Sequence, residues 1–211
     1  MDICNTRRLA YALPTPAETR VDPATWWRAR VGSTNSNSGG TIYIITRITI
    51  HENFAPTTLA NDIAVLRTTL NINLQSSLVQ AARISGAAYA FENNQAVLAI
   101  GWGATSTQDS TPSEQLRVAQ VWLINQQTCS NRYSGSGFTV TDNMLCAGWL
   151  DVGIRGQCAG DAGSPLLDSN GVVIGVFSRT EACADDWYPD INTRVSAYVR
   201  WIVAAATASL Q

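Results

Sequence analysis

The sequence predicts an all-β protein, because short apolar runs separated by turn-forming residues dominate it. The runs are rich in valine, isoleucine, threonine and aromatic residues, which favour strands. Between them lie clusters of Gly, Ser, Asn, Asp and Pro, which favour turns. The clearest helical pattern lies near the carboxyl end, and no internal repeat divides the chain.

Five segments have the composition expected of strands. In chain order they are 41–50 (TIYIITRITI), 62–67 (DIAVLR), 95–102 (QAVLAIGW), 115–124 (QLRVAQVWLI) and 171–177 (GVVIGVF). The polar stretch 103–114 between the third and fourth is predicted to be a loop, and the first 20 residues fit no strand pattern well.

The last segment predicts a helix over residues 196–207, with the Ser196 hydroxyl as its amino-terminal cap. Val199, Ile202, Val203 and Ala206 recur at a spacing that places them on one helix face. That face would pack against the strands.

Composition and charge exclude several classes of partner. With 211 residues, 45% of them apolar, the chain is long enough to bury a sizeable core. A formal net charge of −2 and scattered arginines offer no basic patch, so we expect no nucleic-acid partner. The longest apolar run, WIVAAATASL, is too short and interrupted to span a bilayer, and no secretory signal precedes the domain in this chain, so we expect no membrane association.

The five cysteines do not form the CxxC pairs typical of zinc or redox sites. Two explanations are open at this point: two disulfides with Cys4 left over, or five reduced thiols in a cytosolic protein. A disulfide closing a loop of roughly 15 to 25 residues would contribute about 3 kcal/mol in the chain-entropy model.

All 14 basic residues are arginine. Lysine loses its proton near pH 10.4, whereas arginine stays charged beyond about pH 12, so an arginine-only surface keeps its cations in a strongly alkaline fluid. GC-rich codon usage would produce the same bias, and both explanations stay open.

Five short motifs occur in order along the chain. They are NDIAVL at 61–66, IGWGAT at 100–105, NMLCAG at 143–148, GDAGSP at 160–165, and VRWI near the end. In this order and spacing they resemble the trypsin-like serine proteases of the chymotrypsin fold. The arginine-only charge set and the segments WWRARVGST and SGGTIYIITRITIHENF are most similar to the digestive trypsins of moth and butterfly larvae.

The resemblance implies a chymotrypsin-like double β-barrel with an incomplete amino-terminal barrel and a carboxyl-terminal α-helix. An atypical segment, 1–25, would precede a peptidase domain over 26–211. The first barrel would reach to about residue 95, the second would span about 96–195, and the helix would follow at about 196–207. A diverged homologue and a truncated or mispredicted product are both compatible with the unusual first segment.

The family cleaves peptides with a serine nucleophile, a histidine base, an aspartate that orients the histidine, and two backbone N–H groups that stabilise the oxyanion. The resemblance assigns the aspartate to Asp62, its supporting serine to Ser178, and the oxyanion donors to Gly160 and Ala162. Ala162 occupies the nucleophile position, and its methyl group cannot be acylated. The hydroxyl of Ser164, two residues along the turn, should point elsewhere.

The family histidine has no counterpart. The nearest match to its segment places Pro14 and Thr15 at the positions of His and the following Cys. The only histidine, His51, matches a non-catalytic position, and we expect it at an exposed strand end. Active members carry an Ile-Val-Gly-Gly terminus whose amine pairs with the carboxylate matching Asp161. Without it, we expect Asp161 to reach water or backbone donors and the oxyanion hole to be unformed.

The substrate pocket of basic-specific members has an aspartate six residues before the nucleophile, where this chain has Gly156. Asp190 stands where the family has a glycine on the facing wall. Either the carboxylate has moved across the pocket, or Asp190 is a solvated loop residue. Arg179 and Thr180 replace the Trp-Gly of the pocket entrance, and the guanidinium could pair with Asp190 or Glu181 and plug the pocket.

The resemblance also pairs Cys129 with Cys146 and Cys158 with Cys183, leaving Cys4 unpaired. A third family disulfide is replaced at both ends, by Val97 and Asp168.

Three functions follow from these features. The chain is a non-catalytic homologue that binds peptides, protease inhibitors or partner proteases; or a digestive serine endopeptidase seen as an inactive variant; or a fragment without a function of its own. The missing histidine counts against the second. The resemblance implies an extracellular monomer, in the gut lumen, without cofactor or metal.

Overall fold

A computed structural model describes residues 8–11, 23–106, 108 and 111–208. In this part of the chain, two β-sheets carry two α-helices and two short 3₁₀ turns. The first sheet contains β1 (Arg8–Tyr11), β2 (Arg28–Val31), β3 (Thr41–Ile50) and β4 (Ala64–Thr68). Its strands are antiparallel and lie in the order β1-β4-β3-β2.

The second sheet contains the remaining seven strands. They are β5 (Arg83–Ile84), β6 (Ala96–Gly101), β7 (Arg117–Ile124), β8 (Met144–Gly148), β9 (Pro165–Leu167), β10 (Val172–Arg179) and β11 (Asp190–Arg194). The strand order is β11-β8-β7-β6-β9-β10-β5, and an additional pairing of β10 with β11 closes six of the strands into a barrel. Helix α1 (Gln126–Tyr133) connects β7 to β8, and helix α2 (Val199–Thr207) follows β11.

Alternation along the strands fills the barrel. In β7, Val121 and Leu123 are buried, whereas Trp122 and Ile124 between and beyond them are only half-buried. This period of two sends alternate side chains to opposite faces of the sheet. The inward set forms one core with Val97, Leu145, Leu166 and Ile174 from neighbouring strands.

A second core joins the two sheets. Ile63 and Val65, from the segment that leads into and through β4, pack with Val176 of β10 and with Tyr198 and Ile202 at the carboxyl end. These residues are at most 4% exposed, so the first sheet, the barrel and α2 share one buried apolar contact. Burial of this kind is the main favourable contribution to folding.

The expected all-β class is confirmed, and all five predicted strands are present with ends shifted by a few residues. The expectation that the first residues form no strand is wrong, because β1 pairs with β4 from Arg8 opposite Arg67 to Tyr11 opposite Ala64. A four-residue edge strand is held by backbone hydrogen bonds to its neighbour and needs no alternating pattern of its own.

The cap predicted for the last helix is also wrong. Ser196 lies within a 3₁₀ turn, Val195–Ala197, and Tyr198 precedes the first residue of α2 without a side-chain capping bond. Val195 and Tyr198 are buried at 2% and 4% exposure. Their burial fixes a tight turn here, so the α-helix begins three residues later than the sequence pattern predicts.

Both predicted disulfides are present. Cys129 is bonded to Cys146 and Cys158 to Cys183, with Cα–Cα distances of 6.3 and 4.6 Å. Cys4 lies outside the described residues.

The two positions that replace the third family disulfide have taken other structural roles. Val97 is buried in the barrel core. The Asp168 carboxylate accepts hydrogen bonds from the Tyr89 hydroxyl at 2.7 Å and from the backbone N–H groups of Asn170 and Val172 at 2.8 Å each.

Candidate functional site

Residues 158–164, which follow Gly156, form a tight turn beside a cleft. Within it, the Asp161 N–H donates to the Cys158 carbonyl at 3.0 Å and the Ser164 N–H to the Asp161 carbonyl at 2.7 Å. Gly160 has φ of +91°, which a residue with a side chain rarely adopts. The turn places Ala162 on the wall of a cleft of about 390 Å³, which Ser178, Arg179 and Thr180 also line.

The Asp62 carboxylate is buried at the junction of the two sheets, with 1% of the residue exposed. The Ser178 hydroxyl donates to its Oδ2 atom at 2.6 Å, and the Thr193 hydroxyl donates to the Asp62 backbone carbonyl at 2.6 Å. An irregularity in the β10–β11 pairing lies between Phe177 and Arg179, and such bulges re-aim a side chain. The expected pairing of Ser178 with Asp62 is therefore present.

The Asp161 carboxylate occupies a space left by two glycines. Its Oδ1 accepts from the Gly103 N–H at 2.8 Å and its Oδ2 from the Cys158 N–H at 3.0 Å. A Cβ atom on Gly101 would lie 1.9 Å from Asp161 Oδ1, and one on Gly103 would lie 2.4 Å from the carboxyl carbon. The expectation that Asp161 finds backbone donors is confirmed. Burial raises the pKa of Asp161, and the two N–H bonds oppose that rise.

Comparison of the chain with known proteins identifies its family. The family model described as Trypsin matches residues 20–202 of this chain. The chain belongs to the trypsin family of serine proteases. It is 50% identical to "Trypsin, alkaline A" of Manduca sexta over 200 residues, which are 95% of this chain and 76% of that relative. It is 51% identical to "Trypsin CFT-1" of Choristoneura fumiferana over 185 residues, which are 88% of this chain and 71% of the relative.

Solved structures agree on the trypsin-family fold. The crystal structure of "scabies mite inactivated protease paralogue S-D1" superposes with a TM-score of 0.85, covering 98% of this chain and 86% of that chain. Sequence identity between the two is 23%. The similarity supports the chymotrypsin-like double barrel, with a closed six-strand second barrel and a carboxyl-terminal helix.

The residue that the resemblance places on the facing wall of the pocket is buried. Asp190, in β11, is 3% exposed, so the alternative of a solvated loop residue is wrong. Its Oδ2 accepts from the Gln157 N–H at 2.7 Å. A Cβ atom on Gly156 would lie 2.9 Å from the same oxygen. Asp190 therefore needs a glycine at the pocket base.

Burial raises the pKa of Asp190 from 3.8 to about 7. The hydrogen bond from the Gln157 N–H opposes that rise, and the negative charges of Asp161 and Asp185 add to it. Asp190 thus changes its charge near neutral pH.

Asp190 has a polar neighbour that sequence reasoning missed. The Asn192 side-chain N–H donates to Gln157 Oε1 at 3.0 Å. Both side chains are buried, and Gln157 Nε2 and Asn192 Oδ1 have no hydrogen-bond partner within the described ranges. Asp190 and Asn192 are two residues apart in β11, so their side chains lie on the same face of the sheet. The segment DINTR has the composition of a polar turn, so the sequence did not indicate this strand or this pair.

The pocket entrance is occupied by an ion pair. The Arg179 guanidinium pairs with Glu181 and stacks over the Phe138 ring, 4.4 Å from its centroid. Of the two partners expected for Arg179, the structure shows Glu181. The Thr180 hydroxyl donates to the Ala182 carbonyl at 2.6 Å, which holds the segment after β10 in a turn.

Gly160 and Ala162 carry the backbone N–H groups of the expected oxyanion hole. Within the described part of the chain, neither the Gly160 N–H nor the Ala162 N–H donates a hydrogen bond. Both residues line the cleft. The unformed oxyanion hole stays a prediction.

The single histidine packs against two aromatic side chains near the carboxyl end. His51 lies one residue after β3 and is half-buried, less exposed than expected. Its ring contacts Trp201 at 4.9 Å and Tyr198 at 5.4 Å between centroids. The tentative histidine position, Pro14, lies outside the described residues. Across residues 8–11, 23–106, 108 and 111–208, no group of three His, Cys, Asp or Glu side chains could hold a metal ion.

No helix in the described ranges is both long enough and apolar enough to cross a membrane.

The glycine space around Asp161 predicts a stability difference. Gly103→Ala should lower the free energy of unfolding by about 1 to 3 kcal/mol, because its Cβ would overlap the Asp161 carboxylate. Gly86→Ala is the matched control, since no heavy atom lies within 4 Å of its Cβ, and it should leave stability unchanged or slightly higher. Urea unfolding monitored by tryptophan fluorescence measures both. Equal stabilities for the two variants would contradict this account.

The raised pKa of Asp190 predicts how stability depends on pH. The folded state holds the Asp190 proton up to about pH 7, whereas the unfolded state releases it near its model value of 3.8. This contribution is therefore complete below the unfolded value and is lost as pH rises through about 7, which amounts to roughly 4 kcal/mol.

Asp190→Asn should remove most of this pH-dependent loss of stability, while its amide oxygen can still accept from the Gln157 N–H. Urea unfolding at pH values from about 3.5 to about 8 covers the window between the two pKa values and measures the slope. Asp161 contributes a residual slope of the same sign, because its pKa is also raised. The exposed Asp186→Asn serves as control and should keep the parent slope. If both variants keep it, Asp190 is not the titrating group.

Proposed function

We propose that this chain is a non-catalytic member of the trypsin family that binds peptides or protein ligands, including protease inhibitors and partner proteases, in the cleft beside Ala162. The methyl group at position 162 carries this proposal. A methyl group has no proton to lose and no lone pair with which to attack a carbonyl carbon. The residues around Ala162 still line a cleft of about 390 Å³, which supports binding without turnover.

The pocket favours a basic side chain. Asp190 supplies a carboxylate, and Asn192 Oδ1 beside it is a buried acceptor without a partner in the described part of the chain. A buried carboxylate is costly unless it is paired, so a guanidinium or ammonium group that reaches it gains a charge-assisted hydrogen bond. The Arg179–Glu181 pair at the entrance would have to shift as such a ligand enters.

The setting that fits these features is extracellular. Two disulfides are typical of proteins folded in an oxidising compartment. The relatives named alkaline trypsins and the arginine-only basic residues favour the alkaline lumen of an insect gut. We propose a monomer there, acting as a ligand-binding homologue among digestive proteases.

A second candidate is a serine endopeptidase of the digestive trypsin type, favoured by the identity of about one half to proteins named trypsins. It would require another nucleophile and another base. Ser164 lies on the same turn but does not line the cleft, and its Oγ atom lies on the side of Gly101, 2.9 Å from where a Cβ atom there would stand. His51 packs against Trp201.

A direct assay separates the two candidates. The parent chain and Ala162→Ser, each freed of contaminating proteases, should both fail to hydrolyse arginine-containing and apolar chromogenic peptides at the rate of an active trypsin. The serine variant should stay slow, because loss of the nucleophile or the histidine alone lowers kcat by about 10⁶, nearly as much as loss of the whole triad. Labelling with a serine-directed phosphonate probe measures the same property.

The control for that assay is an active trypsin taken through the same purification. Turnover by the parent chain, or phosphonate labelling of Ala162→Ser at the control's rate, would establish the endopeptidase instead.

Binding of a cationic probe tests the proposed pocket. Benzamidine should bind more tightly as pH rises through about 7, because the cation prefers ionised Asp190, and affinity should fall about tenfold per pH unit below that value. Asp190→Asn should remove this dependence, and Asp186→Asn should keep it. Isothermal titration calorimetry measures the affinities.

Moving the carboxylate from position 190 to position 156 gives a second control. Gly156→Asp alone should unfold or lose binding, because the new side chain overlaps Asp190 and adds a like charge. Adding Asp190→Gly should recover benzamidine binding. Binding that is independent of pH and of both positions would contradict a carboxylate-based pocket.

A further inference from the structure

A second cavity lies on the outer face of the closed barrel, where α1 begins and β8 ends. Its volume of about 630 Å³ exceeds the 390 Å³ of the cleft beside Ala162, and the two share no lining residue. This is within the range of about 300 to 1,000 Å³ typical of small-molecule sites. The residues that carry the argument are Asn93, Asn94, Trp122, Asn125, Arg132 and Trp149, and we name the cavity the tryptophan–amide groove.

Strand pairing builds the aromatic part of this groove. Val121 and Leu123 point into the barrel core, so Trp122 between them lies on the outer face. Trp122 pairs with Gly148 at the end of β8, which brings the next residue, Trp149, beside it. The two ring centroids are 5.1 Å apart with the rings tilted by 43°, and both side chains are half-buried. The Arg155 guanidinium stacks over the Trp149 ring, 4.7 Å from its centroid. The indole surface open to a ligand therefore comes from Trp122 and from the part of Trp149 that Arg155 leaves uncovered.

Amides border these rings. Asn125 Nδ2 donates to Asn93 Oδ1 at 3.2 Å, and Asn125 Oδ1 caps α1 by accepting from Gln127 and Thr128 N–H groups. This arrangement fixes the Asn93 side chain and leaves its N–H donors without a partner among the described residues. Asn94 is exposed in the same turn. The groove therefore offers neutral donors and acceptors beside its aromatic faces.

The charges in the groove cancel. Arg132 Nη2 pairs with Asp151 at 2.8 Å, and the guanidinium stacks over Trp187 at 4.1 Å. Among the residues that line the groove, the single arginine is matched by the single aspartate, which gives no net attraction for a phosphate or a nucleic acid. Arg132 Nη1 is itself buried, so it is not open to a ligand in the groove.

We propose that the tryptophan–amide groove binds a neutral oligosaccharide. A pyranose ring presents C–H bonds on its faces and hydroxyl groups at its edge. The C–H faces match the electron-rich indole faces of Trp122 and Trp149, and the hydroxyls match the side-chain amides that border them.

An extended peptide fits the same groove less well. Peptides commonly dock by adding a strand to a free sheet edge. Trp122 is already paired on both sides, with Ala96 of β6 and Gly148 of β8, so β7 has no free edge there. The inference does not rest on the proposed function, because the groove and the cleft share no residue.

Calorimetric titration with N-acetylchitotetraose, cellotetraose and maltotetraose tests the proposal on the full chain. At least one of the three should bind saturably at concentrations up to about 10 mM. Trp149→Ala and Asn93→Ala should each weaken that binding about tenfold or more, since they remove a stacking face and an amide. Trp26→Ala is the matched control, because Trp26 is 64% exposed and lies in the first sheet's 3₁₀ turn.

Circular dichroism and thermal unfolding establish that each variant is folded before its affinity is compared. The proposal is overturned if none of the three oligosaccharides binds, if a sulfated heparin tetrasaccharide binds in their place, or if both folded groove variants bind like the parent. Equal weakening by Trp26→Ala would also overturn it, because the contact would then not be specific to the groove.

Discussion

The Asp161 carboxylate must be satisfied inside the protein, and the geometry of the cleft follows from how this is done. A buried carboxylate without hydrogen bonds is costly, and here one oxygen accepts from Gly103 and the other from Cys158. The first donor lies 58 residues earlier in the chain, so the carboxylate ties the end of β6 to the turn that carries Ala162. Glycine at 101 and 103 provides the space. The IGWGAT and GDAGSP motifs are two halves of one packed unit.

Asp190 adds a second buried acid whose consequences depend on pH. In an alkaline fluid it is ionised, and the arginines on the surface remain charged. The folded chain is then least stable without a bound cation, since ionised Asp190 accepts from the Gln157 N–H and has no cation among its hydrogen-bond donors. A basic ligand that binds only the folded state would raise stability with the logarithm of one plus its concentration over Kd. Binding and stability are thus linked through one side chain.

Sequence reasoning found those parts of the fold and site that leave a local pattern. The strands β3, β6, β7 and β10 are β-branched runs, and the disulfides and Asp62 followed from motif order. The strands β8, β9 and β11 were missed because MLCAG, PLL and DINTR show no alternation; their neighbours in the barrel supply the pairing. Trp122 and Trp149 are 27 residues apart, and only the β7–β8 register brings them together. The Ser196 cap failed because burial of Tyr198 outweighed a local preference.

Asp62 has a structural role that does not depend on catalysis. Its carboxylate accepts a hydrogen bond from the Ser178 hydroxyl of β10, and its backbone carbonyl accepts one from the Thr193 hydroxyl of β11. These two hydrogen bonds join the segment before β4 to the two strands that close the second barrel. They lie next to the apolar cluster of Ile63 and Val176 that joins the same elements. Replacing Asp62 would leave the Ser178 hydroxyl buried without its acceptor, a cost paid in folding whether or not the chain cleaves peptides. Asp62 therefore contributes to the fold whatever residue occupies position 162, and its presence alone is no sign of catalysis.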